Sequence, residues 1–322
     1  MAQPPFIEIQ HLRKTFKQHL VLNDININIE YGDIFGIIGK SGSGKTTLLN
    51  LLMGFLKPTD GHIVFQSRDI ENDMQNVRQQ FGFTAQEGSF YPKLTVRENM
   101  EYFGELYNVT PRELKEKIPR ILKSFGLEEA EHVVGYKLSI GMQKRLDIAC
   151  GLIHDPKVLL LDEPTENLDP VLRREILNLL RDINKKKGVT ILLTSHLLEE
   201  VEYICNKVAI LHRNTVLASG TLNQLKDLYT KNMEIHLETT SGNYSKLLPA
   251  LKKRNDIKSI TPRDRGLVIY TPKPEPVLKF ALDFLTHNNE RLLDIGIEKP
   301  SLNEVFESFT KDKEIKEKVE KK

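Results

Sequence analysis

The chain has 322 residues, more than one average domain holds and enough for two domains, each with its own core. Its 46 basic and 44 acidic side chains give a formal net charge of +2, which by itself indicates neither a nucleic-acid nor a membrane partner. The longest apolar runs hold about seven residues, whereas a membrane span needs roughly 20. The first residues do not resemble a signal peptide, so we expect a soluble cytoplasmic chain. In that compartment Cys150 and Cys205 are expected to be reduced.

The first predicted elements are antiparallel strands. Residues 6–30 alternate apolar and polar side chains, which is typical of a sheet with one solvated face. Phe16 lies at the junction between two of these strands. Its ring could stack on a purine base or fill the core between the strands, and its position alone favours neither interpretation.

A glycine-rich loop follows, between a predicted buried strand, residues 34–38, and a predicted helix, residues 46–55. Its sequence GKSGSGKTT fits the spacing G-x-x-x-x-G-K-[ST], in which backbone N–H groups form a concave nest for phosphates. Lys45 adds a cation for the β- and γ-phosphates, and Thr46 offers a hydroxyl to Mg²⁺. The alternative, a glycine-rich surface turn, would not require a buried strand directly before the loop and a helix directly after it. The predicted nucleotide contacts are Gly39, Lys40, Ser41, Gly42, Ser43, Gly44, Lys45, Thr46 and Thr47.

Gln86 ends the next predicted strand, within residues 77–86. Ligands of parallel sheets bind at the carboxyl edge, where a neutral amide can contact both a magnesium ion and an attacking water. On this basis Gln86 is a candidate site residue, and the alternative is a solvated loop residue.

The pattern then becomes helical. Capping-box sequences at Thr95 and Thr110 start two predicted helices, residues 96–108 and 111–125, in a helical insertion of about residues 95–140. At the end of the insertion, Ser139 and Gly141 stand just before a helix predicted to begin near Met142. Their hydroxyl and N–H groups would form a second anion-binding helix N-terminus.

Two carboxylates end the most apolar strand of the chain. Residues 158–161 are all aliphatic, which indicates a central strand, and Asp162 and Glu163 follow at once. Asp162 is placed to hold the magnesium ion, and Glu163 is placed to polarise water for attack on the γ-phosphate. Asp169 caps a predicted helix, residues 170–187.

The next buried strand, residues 189–196, ends in a histidine. His196 could bond the γ-phosphate from the same sheet edge, or it could lie in the first turn of the following helix, capped by Ser195. Two more predicted strands, KVAILHR and TVLASG, complete the first domain near Gly220.

In this order the motifs resemble the ATP-binding cassette of ABC transporters, over about residues 6–220. The resemblance implies an α/β fold: a P-loop NTPase cassette with a mixed sheet core, an antiparallel β subdomain and a helical insertion. In that family two cassettes pack head to tail and enclose two ATP molecules. Each ATP lies between the phosphate loop of one subunit and the signature sequence of the other.

The resemblance also implies roles for single residues. Phe16 would stack on adenine, Glu163 would be the general base, and His196 would contact the γ-phosphate. Gln86 would join Thr46 and Asp162 at Mg²⁺, and catalysis is assigned to Glu163, His196 and Gln86. The remaining implied contacts to ATP, several of them across the dimer, are Ser139, Gly141, Met142, Asp162 and Asp169.

The signature departs from the usual LSGGQ of the family. Here it reads LSIGM, which puts Ile140 where glycine is commoner and Met142 where glutamine is commoner. Met142 resembles the drug and lipid exporter (ABC-2 type) branch, whereas the Cβ of Ile140 is expected to weaken the ATP contact across the dimer. Asn167 also stands where a smaller residue is usual.

The last hundred residues predict a smaller domain. We place the cassette at residues 1–222, an α+β domain at 223–310 and a charged tail at 311–322. The order β-α-β-β-α-β in the second domain is that of a ferredoxin-like unit. An accessory domain of this kind resembles the C-terminal extension of drug-exporter cassettes.

The predicted function is that of an ATPase subunit, peripheral on the cytoplasmic face of a membrane, that powers an exporter through a separate transmembrane permease. Two copies, or this chain and a different cassette, would close on ATP, and no nucleic-acid partner is expected. A soluble ABC ATPase of translation or DNA repair is the alternative, but it would show tandem cassettes or a long heptad insertion. Other P-loop enzymes would lack the signature sequence.

Overall fold

The computed structural model describes residues 4–229, 233–263 and 266–298, with Leu302, Glu304 and Phe306. The chain divides between Thr221 and Leu222 into two compact units. Within the described ranges, no helix is both long and apolar enough to cross a membrane. The predicted charged tail, residues 311–322, and most of the end of the predicted α+β domain, residues 299–310, lie outside the described residues.

In chain order the strands are β1 (Ile7–Phe16), β2 (His19–Ile29), β3 (Ile34–Ile38), β4 (Asp60–Phe65), β5 (Arg68–Asp69), β6 (Phe81–Thr84), β7 (Val158–Leu161), β8 (Thr190–Ser195), β9 (Lys207–His212), β10 (Thr215–Thr221), β11 (Met233–Thr239), β12 (Ser259–Arg263), β13 (Gly266–Thr271) and β14 (Leu292–Glu298). The helices are α1 (Lys45–Leu52), α2 (Met74–Gln80), α3 (Val96–Leu106), α4 (Pro111–Phe125), α5 (Ile140–Leu152), α6 (Pro170–Lys187), α7 (Leu198–Ile204), α8 (Leu222–Tyr229), α9 (Leu247–Lys252) and α10 (Pro274–His287).

The first unit contains two sheets. One is antiparallel with the strand order β2-β1-β4-β5, as the alternating pattern near the start predicts. The other has the order β10-β9-β3-β8-β7-β6, and it is parallel except where β10 pairs with β9. The predicted mixed core with an antiparallel subdomain is therefore confirmed. Every residue of β3, β7 and β8 is buried, as expected for strands covered on both faces.

Several boundaries differ from the sequence prediction. Residues 77–80 belong to helix α2 and not to a strand, because Met74 and Val77 lie one turn apart on a helical face that packs into the core. Strand β6 ends at Thr84, two residues before Gln86. Helix α1 ends at Leu52, earlier than predicted, and Gly54 with a φ of +65° turns the chain away.

The helical insertion begins as predicted. Thr95 and Thr110 each accept the N3 backbone N–H, and the N3 glutamates reach back to the cap N–H groups, so both capping boxes are present. Gly126, with a φ of +62°, ends α4. Helix α5 begins at Ile140, two residues before the predicted start, with Ser139 as its N-cap.

The second unit has one antiparallel sheet of order β12-β13-β11-β14. Alternate residues of its central strands, such as Ile235, Leu237 and Ile269, form a core with the apolar faces of α9 and α10. The predicted α+β character of this unit is confirmed for the described elements.

The Thr110 cap gives a direct stability test. Thr110→Ala removes the side-chain acceptor of one capping box and should destabilise the cassette by about 1 kcal/mol. Thr110→Ser keeps the hydroxyl and should stay near the wild-type value. Denaturant midpoints of the full chain measure both; equal midpoints for the alanine and serine variants would contradict a capping role.

Candidate active site

The glycine-rich loop forms a cradle for an anion at the start of helix α1. A Cβ at Gly39 would lie 2.3 Å from the carbonyl oxygen of Leu211, so only glycine fits there. Gly44, with a φ of +104°, is the N-cap of α1 and offers no side-chain acceptor, which leaves the first-turn N–H groups available to a ligand. The hydroxyl of Ser43 is buried and has no hydrogen-bond partner among the described residues. The cradle therefore fits phosphate oxygens, which would supply the missing acceptors.

Three predicted site residues lie together beside this cradle. The Lys45 side chain is 7% exposed, and its ammonium donates to the Gly39 carbonyl at 2.9 Å and lies 3.1 Å from the Glu163 carboxylate. The other oxygen of Glu163 lies 2.9 Å from Nδ1 of His196. His196 follows β8 in a loop and precedes α7, so the alternative that placed it in the first turn of the helix is wrong. The structure thus holds the Glu163 carboxylate between a cation and an imidazole.

Strand β8 also positions both carboxylates, through a residue that the sequence motifs do not include. The Thr194 hydroxyl donates to Asp162 at 2.6 Å and accepts the Glu163 backbone N–H at 2.9 Å. The register that pairs Leu161 with Leu193 could have indicated this contact, because it puts the next residues of the two parallel strands side by side. Glu163 itself has a φ of +48°, an uncommon backbone conformation for a residue with a Cβ and one that clusters at active sites.

The donors near the cradle suit a hard cation such as Mg²⁺. Thr46 presents an exposed hydroxyl in the first turn of α1, and Asp162 contributes a buried carboxylate. No group of three or more His, Cys, Asp or Glu side chains that could hold a metal occurs within the described residues. Few protein ligands are expected for Mg²⁺, which keeps several waters and binds substrate phosphates.

Gln86 lies apart from these residues, exposed in the loop after β6. The side-chain amide of Gln86 donates to the Glu166 carboxylate at 2.7 Å. The backbone carbonyl of Gln86 accepts from the Lys144 ammonium at 2.8 Å. The sequence motifs include neither partner. The prediction that Gln86 ends a strand is wrong by two residues, and its role at the metal stays a prediction.

The second predicted anion site stands at the start of α5. The Ser139 hydroxyl accepts the Met142 N–H at 3.3 Å, Gly141 is buried, and Ile140 is 56% exposed. Asp169 caps α6 by accepting the N–H groups of the next two non-proline residues at 2.9 and 3.0 Å. Among the described residues, no hydrogen bond or ion pair joins these signature and loop residues to the cluster beside the cradle. The first set is Ser139, Gly141, Met142 and Asp169, and the second is Lys45, Asp162, Glu163 and His196.

Phe16 is 42% exposed, with the Lys14 ammonium 4.9 Å from the centre of its ring. The alternative that Phe16 fills the core is therefore wrong. An aromatic face left open to solvent is available for stacking, and the contact to adenine stays a prediction.

The chain was compared with protein families and with curated proteins. Residues 22–166 match the family model described as ABC transporter. The chain is 36% identical over 220 residues to the probable multidrug ABC transporter ATP-binding protein YbhF of Escherichia coli, which covers 68% of this chain and 38% of YbhF. The chain therefore spans less than half the length of that relative. It is 31% identical over 309 residues to the Nod factor export ATP-binding protein I of Rhizobium leguminosarum, covering 95% of both chains. It is also 35% identical to the methionine import ATP-binding protein MetN of Clostridioides difficile, over 80% of this chain and 79% of MetN.

Solved structures give the same assignment. The cassette cbiO1 of Clostridium perfringens, part of the ABC transporter complex cbiONQ, matches with a TM-score of 0.64 and 28% identity, covering 69% of this chain and 91% of cbiO1. The cassette MJ0796 in its dimeric, post-hydrolysis state with ADP and Pi matches with a TM-score of 0.61 and 27% identity, covering 67% of this chain and 98% of the cassette. The cradle, the paired carboxylates and these matches together show that the chain belongs to the ATP-binding subunits of the ABC transporter family.

Proposed function

We propose that this chain hydrolyses ATP at the Lys45–Glu163–His196 cluster and uses the energy to drive export through a separate transmembrane permease. The observation that carries the chemical part is the buried Glu163 carboxylate, 3.1 Å from Lys45 and 2.9 Å from His196, beside a cradle that fits phosphate. The name of the Nod factor export ATP-binding protein supports export, whereas MetN is named for import and YbhF is named for a multidrug ABC transporter without a stated direction.

Without nucleotide, Lys45 and Glu163 neutralise each other. Phosphate oxygens that enter the cradle would compete for the Lys45 ammonium, and this frees one oxygen of Glu163 to accept a proton from water. His196 would keep the other oxygen oriented through its 2.9 Å contact. In the proposed step the water oxygen would bond the γ-phosphorus while the bond from that phosphorus to the β,γ-bridging oxygen breaks, and the bridging oxygen would leave with ADP. Glu163 would take one proton from the water and pass it to the released phosphate, which returns Glu163 to the carboxylate.

Thr46 and Asp162 are the residues that we propose to hold Mg²⁺, with Gln86 approaching when its loop moves. When bound, Mg²⁺ would offset the charge that develops on the phosphates. Thr194 would hold the Asp162 carboxylate in place, since its hydroxyl already bonds Asp162 at 2.6 Å. The remaining loop residues would act through their backbone N–H groups.

Assembly with a second cassette would complete the site. Ser139 and Asp169 stand at the starts of α5 and α6, and among the described residues neither is bonded to the phosphate cradle of its own chain. We propose that they serve the ATP bound by a partner cassette. The dimeric form of the related MJ0796 supports this arrangement. The exposed Ile140 side chain would then lie at the dimer contact and limit how closely the signature approaches ATP.

For the permease we propose docking beside Tyr91. Asn99, which is fully buried, fixes the Tyr91 backbone through bonds of 2.7 and 3.0 Å, while the Tyr91 ring stays 46% exposed. Tyr91 packs edge-on against Tyr102 and lines a cavity of about 360 Å³. An apolar surface held by a rigid backbone suits an incoming helix.

Residues 223–310 would form an accessory domain of ferredoxin-like type, which the strand order β12-β13-β11-β14 supports.

Glu163→Gln tests the chemical role. The substitution removes the proton acceptor and should lower kcat for ATP hydrolysis by about 10²-fold or more. ATP binding should persist, because Lys45 is released from its partner and not lost, whereas Lys45→Ala should abolish binding. Glu199→Gln, an acid on α7 outside the cluster, is the matched control. An unchanged turnover rate in Glu163→Gln would remove Glu163 from catalysis.

The same variant tests assembly. With hydrolysis blocked, Glu163→Gln should form a dimer in ATP that light scattering detects, and ADP should not support it because it lacks the bridging γ-phosphate. Adding Ser139→Arg should prevent the dimer by filling the signature with a long side chain. A protein that stays monomeric at saturating ATP would show that a different cassette or the permease is required.

Tyr91→Glu tests docking. It places a charge in the apolar cavity, so copurification with the permease and export should fall while basal ATP hydrolysis of the isolated subunit stays unchanged. Tyr31→Glu, at a tyrosine that is 63% exposed elsewhere on the cassette, should leave both intact. Loss of basal hydrolysis in Tyr91→Glu would show that Tyr91 supports the cassette itself, and the docking surface would have to lie elsewhere.

A further inference from the structure

Two side chains of helix α5 form hydrogen bonds to the loop that carries Gln86. The Lys144 ammonium donates to the Gln86 backbone carbonyl at 2.8 Å. One turn further along the helix, the Asp147 carboxylate accepts the Ser89 backbone N–H at 2.6 Å. Side chains at i and i+3 lie on one face of a helix, so both bonds come from the same side of α5.

The loop itself has few other attachments. Between residues 85 and 89 it turns through Gly88, with a φ of +91°, and closes on itself when the Ser89 hydroxyl accepts the Ala85 N–H at 3.1 Å. Among the described residues, Gln86 makes one more side-chain contact, the exposed bond to Glu166. Within the described ranges, helix α5 thus supplies two of the three side-chain hydrogen bonds that join residues 85–89 to other parts of the cassette.

Asp147 is unusual because it is charged and almost fully buried, with 2% of its surface exposed. Burial raises the pKa of Asp147 to about 6 from its ordinary value of 3.8, although the Ser89 N–H and Lys144 lower it. Folding therefore favours the neutral acid over the carboxylate. The contribution of Asp147 to stability therefore falls as the pH rises through the window from about 4 to 6, because in that window the folded chain binds this proton more tightly than the unfolded chain does.

We propose that Lys144 and Asp147 are positioning residues that tie the loop of Gln86 to helix α5, so that the loop and the signature at Ser139 move as one body. Ser139 caps the N-terminus of the helix that carries both residues. A change at Gln86 would reach the signature through one rigid element, without passing through the sheet. This inference rests on the proposed role of Gln86 in hydrolysis.

The first test does not depend on activity. Hydrogen exchange of the nucleotide-free full chain should show the Ser89 amide protected in the wild type and about tenfold or more faster in Asp147→Ala, because loss of a bond to a charged acceptor exposes it. Asp33→Asn is the matched control: Asp33 is also buried and accepts a backbone N–H, from Glu30 at 2.8 Å. It should leave Ser89 unchanged. Equal exchange rates of the Ser89 amide in wild type and Asp147→Ala would contradict the proposal that Asp147 holds the loop on α5.

The second test asks whether Asp147 acts through Gln86. Asp147→Ala removes the acceptor of the Ser89 N–H and should lower kcat about tenfold or more, with the Kd for ATP unchanged within about twofold because the phosphate cradle is untouched. In a Gln86→Ala background the same substitution should have no further effect, since residues that act as one unit are not additive. Lys144→Gln should behave in the same way, and Lys117→Gln, a lysine of α4 bound to Asp155, should not lower kcat.

The outcomes separate the two proposals. If Gln86→Ala leaves kcat unchanged, the proposed role of Gln86 in hydrolysis is wrong. The exchange test then still shows whether Asp147 holds the loop on α5. If Gln86→Ala lowers kcat and Asp147→Ala does not, the coupling is wrong. Fully additive losses in the double variant would also overturn it, because Asp147 would then act on something other than the Gln86 loop.

Discussion

The parallel register of three buried strands is the constraint on which the site depends. Ile38 of β3 pairs with Ser195 of β8, and Leu161 of β7 pairs with Leu193. The residues that follow each strand therefore emerge at one edge of the sheet: the glycine-rich loop, the two carboxylates and His196. Because the strands are aliphatic and covered on both faces, this edge is the point where polar groups from distant segments can meet.

At that edge the polar groups satisfy one another. Glu163 lies between Lys45 and His196, and Thr194 bonds both Asp162 and the Glu163 backbone. A buried charge without a partner would be costly, and Lys45 and Glu163 each supply the opposite charge that the other needs. In the mechanism that we propose, phosphate oxygens would replace Glu163 beside Lys45, so that a single ion pair would link binding to catalysis.

Helix α5 connects this edge to a second surface. Its N-terminus carries the signature at Ser139, and the face that bears Lys144 and Asp147 holds the loop of Gln86. The strained φ of Glu163 and the buried Asp147 carboxylate are both features that folding alone does not favour. They occur where the proposed chemistry and its coupling need fixed geometry, as is typical of functional sites.

The sequence by itself determined the features that depend on local chemistry: the glycine-rich loop, the capping boxes at Thr95 and Thr110, the strand-terminal Asp162 and Glu163, and the family. It misplaced the start of β6, because a short segment with one apolar face suits a strand or a helix until its packing is known. Only the tertiary structure decided that Phe16 is exposed and that Thr194, Lys144, Asp147 and Glu166 contact predicted site residues or their loop. Such partners are far apart in the chain, 58 residues in the case of Lys144 and Gln86, and only the packing of strands and helices brings them within hydrogen-bond distance.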